Sequence, residues 1–64
     1  MVVNGKKVSL KQEMCLMQYL QYKKYSLDYI AVEKNGTIIP KSKYDTTLLH
    51  NDDVIEIVSF VGGG

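Results

Sequence analysis

The sequence predicts an α+β domain of two layers, in which a curved mixed sheet of about five short strands grasps one helix. Three observations carry that expectation. Two Asn-Gly pairs, Asn4-Gly5 and Asn35-Gly36, each lie between short β-branched runs. One stretch, ending near Tyr22, repeats its apolar residues at spacings of three and four. The run Val54–Phe60 alternates strictly between two faces. Residues 1–60 read as a single folded domain and residues 61–64 as a tail.

The elements follow in order. Asn-Gly favours the positive φ values of a type I′ turn, so Val2-Val3, Asn4-Gly5 and the alternating Val8-Ser9-Leu10 predict an opening β-hairpin. Ser9 followed three residues later by Gln12 fits a capping box that opens a helix. Met14, Leu16, Met17 and Leu20 then form its apolar stripe, opposite Lys11, Gln12, Gln18, Gln21 and Lys23. Tyr29–Lys34 returns as a β-branched strand with Ile30 and Val32 on one face, and Asn35-Gly36 turns it into Thr37-Ile38-Ile39. Pro40 ends that strand because proline cannot donate to a ladder. Lys41–Asp45 shows neither period and reads as a loop or short turn. Thr46–Leu49 suits a short strand or packed loop, and His50–Asp53 a polar turn. In the last strand Glu56 should face water, which sends Ile55 and Ile57 into the core and leaves Val58 and Phe60 partly exposed. This order packs economically as the β-grasp, or ubiquitin-like, architecture.

Composition excludes several classes of function. A chain of 64 residues buries only around 60% of its unfolded surface, enough for one thin core and too little for an enclosed active site. Lys+Arg 8 against Asp+Glu 7, a net charge of +1, lacks the basic excess that nucleic-acid backbones require. No run approaches the ~18 apolar residues that cross a membrane, and no basic-then-apolar leader opens the sequence. One cysteine and 45% hydrophobic residues point to a folded protein of a reducing, cytoplasmic compartment.

Catalytic groups are scarce. His50 sits in the polar turn with no partner that would make it a general base. One His and one Cys cannot build a tetrahedral zinc site, and Asp52-Asp53 with Glu56 lacks the alternating oxygen ligands of a calcium loop, so no metal is expected. Cys15, between Met14 and Leu16, reads as an inert core thiol in the helix, and Met14 and Met17 as core filling. Lys41, Ser42 and Lys43 read as a solvated loop. No glycine-rich phosphate loop is present, so a nucleotide used in this chain's chemistry must be held by another protein.

The chemistry lies in the placement of glycine. Gly62, Gly63 and Gly64 follow directly on an apolar strand. Without Cβ atoms such a segment cannot pack and is expected to be flexible. A terminal carboxylate is ionised at neutral pH and is a poor electrophile, but converted to a mixed anhydride in another enzyme's nucleotide site it becomes an acyl donor. Only a tail free of side chains threads such a site. Fully extended, Val61–Gly64 reaches roughly 14 Å. The outward Val58 and Phe60, with Val61, form a candidate docking strip beside it.

Taken together, Ala31–Pro40, Leu49, Val54–Val58 and Val61-Gly62-Gly63-Gly64 resemble the ThiS family, the small sulfur carriers of thiamine thiazole synthesis. The likeness covers nearly the whole chain. It implies a carrier that is not itself an enzyme and binds no cofactor. A partner adenylyltransferase (E1-like) would use ATP to adenylate Gly64, with Gly62 and Gly63 threading its site. A persulfide donor would then convert the terminus to a thiocarboxylate, and thiazole synthase would receive the sulfur. The family usually places Asp-Gly-Asp before its last strand, whereas Asn51-Asp52-Asp53 stands here. A turn without glycine is expected to hold Asn51 or Asp52 in a less favoured backbone conformation. Two other readings stay open: a carrier of the molybdopterin synthase small-subunit type, although Phe60-Val61 lacks the proline usual before its Gly-Gly, and a ubiquitin-like modifier or plain interaction domain.

Overall fold

The computed structural model describes residues 1–60; the expected tail, 61–64, lies outside them. Strands β1 (Val2–Val3) and β2 (Lys6–Lys7) are joined by Asn4 and Gly5 at φ 51 and 81. Strand β3 (Met14–Cys15) leads into helix α1 (Leu16–Tyr22), and a 3-10 turn at Leu27–Tyr29 into β4 (Ile30–Lys34). Asn35 and Gly36, at φ 53 and 84, return the chain into β5 (Thr37–Ile39). A second 3-10 turn at Lys41–Lys43 precedes β6 (Leu48–Leu49) and β7 (Val54–Ser59). Both Asn-Gly pairs therefore take the left-handed values that a two-residue hairpin turn demands.

The main sheet has the order β2-β1-β7-β4-β5, and β3-β6 form a separate small ladder. Strand β7 occupies the middle, parallel to β1 and antiparallel to β4. Its alternation is as the sequence predicts: Ile55 and Ile57 are buried and Val54, Glu56 and Val58 exposed. Leu16, Tyr19 and Leu20 of α1 pack with Ile30, Val32, Ile55 and Ile57 in one core cluster. Each fully buried side chain of this kind is worth roughly 1.5–3 kcal/mol. One helix on a five-stranded mixed sheet is the β-grasp architecture expected.

The helix starts later than its periodicity suggests. Ser9 to Gln12 cap nothing, and Met14 and Cys15 are strand, paired with Leu49 and Leu48. Cys15 is therefore half-buried ahead of the helix rather than sealed within it. The helical start is made from distant backbone: the Leu16 N–H donates to the Thr47 carbonyl at 2.7 Å and the Met17 N–H to that of Tyr44 at 2.9 Å. Gln18 reaches back to accept from the Cys15 N–H at 2.9 Å. Upstream, the Asn51 side chain accepts from the Leu10 N–H at 2.9 Å and donates to its carbonyl at 3.3 Å, giving that backbone non-helical partners. Val8, Leu10 and Met14 still pack against the core, so the apolar spacing is satisfied without helix. Tyr44, in the stretch expected to be a plain loop, is buried at 2% exposure.

At its other end α1 closes in a Schellman motif: the Tyr25 N–H donates to the Leu20 carbonyl and the Lys24 N–H to that of Gln21, both at 3.0 Å. Lys24 holds the left-handed position, φ 62, that glycine usually fills. In the 50–53 turn, by contrast, neither Asn51 nor Asp52 has a positive φ, contrary to expectation. The absent glycine is not needed because Asp53 closes the turn instead. Its carboxylate, 6% exposed, accepts from the His50 N–H at 2.8 Å and from Asn35 Nδ2 at 2.9 Å, with Lys34 Nζ at 3.9 Å. Asn35 Oδ1 in turn accepts from the Val54 N–H at 2.8 Å, which ties the second hairpin turn to the start of β7.

Burial pushes the Asp53 carboxyl up, but the hydrogen bonds from Asn35 and the His50 backbone, with the charges of Lys34 and His50, outweigh it and hold the group below its ordinary value. A lowered native value contributes stability above the unfolded carboxyl's pKa of about 4, and that stability is lost as pH falls through the lower native value. Asp53→Ala, which leaves buried donors without an acceptor, should cost about 1–3 kcal/mol in denaturant unfolding at neutral pH. Its stability should also fall less steeply than the parent's on acidification below about pH 4; parallel acid limbs would show that Asp53 is not the group responsible. Lys24→Gly should raise Tm by a few degrees, because removing left-handed strain worth about 1 kcal/mol exceeds the added unfolded-state entropy. A lowered Tm would mean that Lys24 is unstrained.

Candidate functional site

The sheet has two faces, and α1 covers one. The register assigns the other: Val58 of β7 stands opposite Ala31 of β4, and Glu33 of β4 stands opposite both Glu56 of β7 and Ile38 of β5. Val58 is 58% exposed, Phe60 51% and Ile38 69%, while Val54 and Ala31 are also open to solvent. The Phe60 N–H donates to the Tyr29 carbonyl at 2.9 Å, which carries the pairing of β7 with the chain ahead of β4 past the end of the strand proper. Phe60 is thus pinned at its backbone while its ring remains half-exposed.

Of the residues singled out in the sequence, Val58 and Phe60 lie as expected on the uncovered side, adjacent to where residues 61–64 begin. Val61, Gly62, Gly63 and Gly64 lie outside the described residues. Ala31 stands beside Val58 on the next strand, and Ile38 adds a further exposed apolar side chain one row away, beyond Glu33. A signal for this exists in the turn. A two-residue Asn35-Gly36 hairpin fixes Lys34 opposite Thr37 and hence Glu33 opposite Ile38, which places Ile38 on the outward face.

Other chemistry-bearing residues are elsewhere. His50 is exposed, with Nδ1 at 3.5 Å from Asp53, at the opposite end of β7 from Phe60. Met14 and Met17 are half-buried and pack against the core. Lys41 pairs with Asp28 on the surface, and Ser42 and Lys43 stand exposed in the adjoining 3-10 turn. Among the described residues no three His, Cys, Asp or Glu side chains gather as metal ligands would, and no helix is long and apolar enough to cross a membrane. What the arrangement offers is a half-apolar platform on the outer face of the sheet, with Phe60 the last of the described residues.

Comparison with known proteins agrees with this geometry. The ThiS family model matches residues 1–64. The sulfur carrier protein ThiS of Bacillus subtilis is 44% identical over 64 residues, covering 97% of this chain and 96% of that protein. A thiazole synthase from Paramagnetospirillum magneticum is 34% identical over 64 residues, covering 100% of this chain but 20% of that protein. The crystal structure of the thiamine biosynthesis protein (ThiS) of Geobacter metallireducens superposes with a TM-score of 0.83 at 29% identity, covering 98% of this chain and 96% of that one. With the family model spanning the whole chain and the solved structure sharing its fold, the chain belongs to the ThiS family.

Proposed function

We propose that this protein carries sulfur for thiamine thiazole synthesis on the carboxyl group of Gly64. The observation that carries the reading is the family match through all 64 residues, glycine ending included, joined to a platform that is apolar where the ending departs. A ThiS sulfur carrier at 44% identity supports it.

The chemistry follows from the terminus. Attack of the Gly64 carboxylate on the α-phosphorus of ATP, in the site of a partner adenylyltransferase, gives the acyl-adenylate and releases pyrophosphate. A persulfide on a donor protein displaces AMP and forms an acyl disulfide. A second thiol of the donor cleaves that disulfide, becoming oxidised itself and leaving the thiocarboxylate on Gly64. Gly62 and Gly63 give the terminus a passage too narrow for side chains, and the four residues after Phe60 span at most about 14 Å. The chain acts as a co-substrate: ATP and the donor thiols belong to its partners, and it needs no cofactor of its own. Persulfide chemistry calls for a reducing compartment, the cytoplasm.

Thiazole synthase is the proposed acceptor of the sulfur. A segment similar to this chain makes up 20% of the Paramagnetospirillum thiazole synthase. Joining carrier and acceptor in one polypeptide converts their encounter into an intramolecular one and raises the effective concentration.

Incubation with the cognate adenylyltransferase, ATP and a persulfide donor should replace one oxygen by sulfur at the C-terminus, read by intact-protein mass spectrometry. Deletion of Gly63-Gly64 should abolish the change and leave Tm as it was. An unaltered mass accompanied by ladders of lysine conjugates would instead identify a protein modifier. Phe60→Ala should weaken binding to the adenylyltransferase about tenfold and cost under about 1 kcal/mol of stability, because the ring is half-exposed already. The reverse pattern would assign Phe60 to the core.

A further inference from the structure

Tyr19 packs its ring into the core cluster and is 4% exposed, yet among the described residues its hydroxyl has no hydrogen-bond partner. No fully enclosed side-chain oxygen there lacks a partner, so this hydroxyl opens to the surface. It does so where Tyr19 borders two adjoining hollows that also share Val8 and Lys23. The smaller, about 280 Å³, is walled by Val3, Val8 and Tyr25 and edged by Asn4, Lys6 and Lys23. Burial, and the neighbouring Tyr25, push the Tyr19 pKa up, so the group stays a hydroxyl and can donate. Lys6 and Lys23 are exposed and take part in none of the ion pairs among the described residues, which are Lys34–Asp53, Lys41–Asp28 and His50–Asp53. Their stretch of chain is basic: the first 27 residues hold Lys6, Lys7, Lys11, Lys23 and Lys24 against a single acid, Glu13. A donor without a partner, set among cations without counter-ions, is chemistry for an anion that offers oxygen acceptors.

We propose that this hollow is a seat for the chain's own terminal carboxylate, held by the Tyr19 hydroxyl, Lys6 and Lys23 while no partner is bound; the inference rests on the proposed function for a Gly64 that carries a free carboxyl group. Position and reach select that occupant. Asn4, on the edge of the hollow, accepts from the Ile57 N–H at 2.7 Å and donates to its carbonyl at 3.1 Å. Phe60 follows three residues later, about 10 Å along the strand. The four residues after Phe60 span at most about 14 Å, so the carboxylate can come back to the level of Asn4 with little slack. Three glycines suit a hollow of this size, because they bring no side chain into it. Exposed ion pairs are weak, so seated and free termini stay in comparable amounts. A seated terminus is not available for threading. The adenylyltransferase therefore captures the free fraction, at an apparent affinity reduced in proportion.

The experiment follows the Gly62, Gly63 and Gly64 amide signals by NMR in the full chain, in Tyr19→Phe and in the double variant Lys6→Gln, Lys23→Gln, with adenylation kinetics alongside. Tyr19→Phe keeps the ring in the core and removes only the hydroxyl. In both variants the Gly64 signal should move to a common position, which the parent should approach as salt rises from about 0.01 M to about 1 M. Acetate at low salt should move the parent's signal the same way, by taking the place of the terminus. In Tyr19→Phe the KM for the chain in adenylation should fall about twofold at unchanged kcat, since more of the chain is free to thread. A Gly64 signal that neither variant nor salt moves, in a parent adenylated normally, would overturn the seat and leave the proposed function standing. Acetate that shifts the Tyr19 and lysine signals and leaves Gly64 unmoved would also overturn it, by giving the hollow to a free carboxylate. A Gly64 signal that responds as expected, in a chain that the adenylyltransferase leaves unmodified, would keep the seat and overturn the proposed function.

Discussion

Strand β7 must be hydrogen-bonded on both edges for this molecule to exist as one domain. A chain this short has one thin core, and its sheet is assembled from pieces that are far apart in sequence: β1 and β2 from the first residues, β4 and β5 from the middle. Only β7 joins them, by parallel pairing with β1 and antiparallel pairing with β4. Ile55 and Ile57 extend from it into the layer where Leu16 and Leu20 of the helix arrive. Its last strand residue, Ser59, is followed by Phe60, whose N–H donates to the Tyr29 carbonyl, so the pairing with the chain ahead of β4 holds to the end of the described residues.

The entry to β7 is secured by side chains rather than by a glycine turn. Asp53 receives the His50 N–H and the Asn35 amide, and Asn35 receives the Val54 N–H. One buried carboxylate therefore holds the turn before β7 against the hairpin turn of β4 and β5. At the opposite end of the sheet Asn4 works in a similar way, donating to the Ile57 carbonyl and accepting from its N–H at 3.1 and 2.7 Å. Each hairpin turn thus contributes an asparagine side chain that braces the central strand. This arrangement gives those positions a second role beyond tolerance of positive φ, and it keeps β7 in place while its outer face stays open.

In the proposed function the work divides between a platform and a terminus. The helix-covered face holds the core and the uncovered face stays open, and the two are separated by the period of two along each strand. Because Val58 and Phe60 are only partly buried, changes there disturb the core little. His50 and Asp53 lie at the far end of β7, where they hold the turn that leads into the strand.

Local signals were enough to determine the two hairpin turns, the inward and outward residues of β7 and the glycine ending, because each is written within a few consecutive residues, although the strand that returns from Asn4-Gly5 is Lys6–Lys7 and not the alternating Val8-Ser9-Leu10. Asn-Gly specifies its turn through its own backbone preferences, and strict alternation specifies its own faces. Tertiary structure decided what depends on distant partners. The apolar spacing from Leu10 to Leu20 is compatible with a long helix, yet Asn51 claims the Leu10 backbone and Leu48 and Leu49 claim Met14 and Cys15, so the helix begins at Leu16. The burial of Tyr44, the closing of the 50–53 turn by Asp53 and the register that sets Glu33 opposite Glu56 likewise depend on contacts between distant segments, and a period read along one segment carries no information about the segment it will meet.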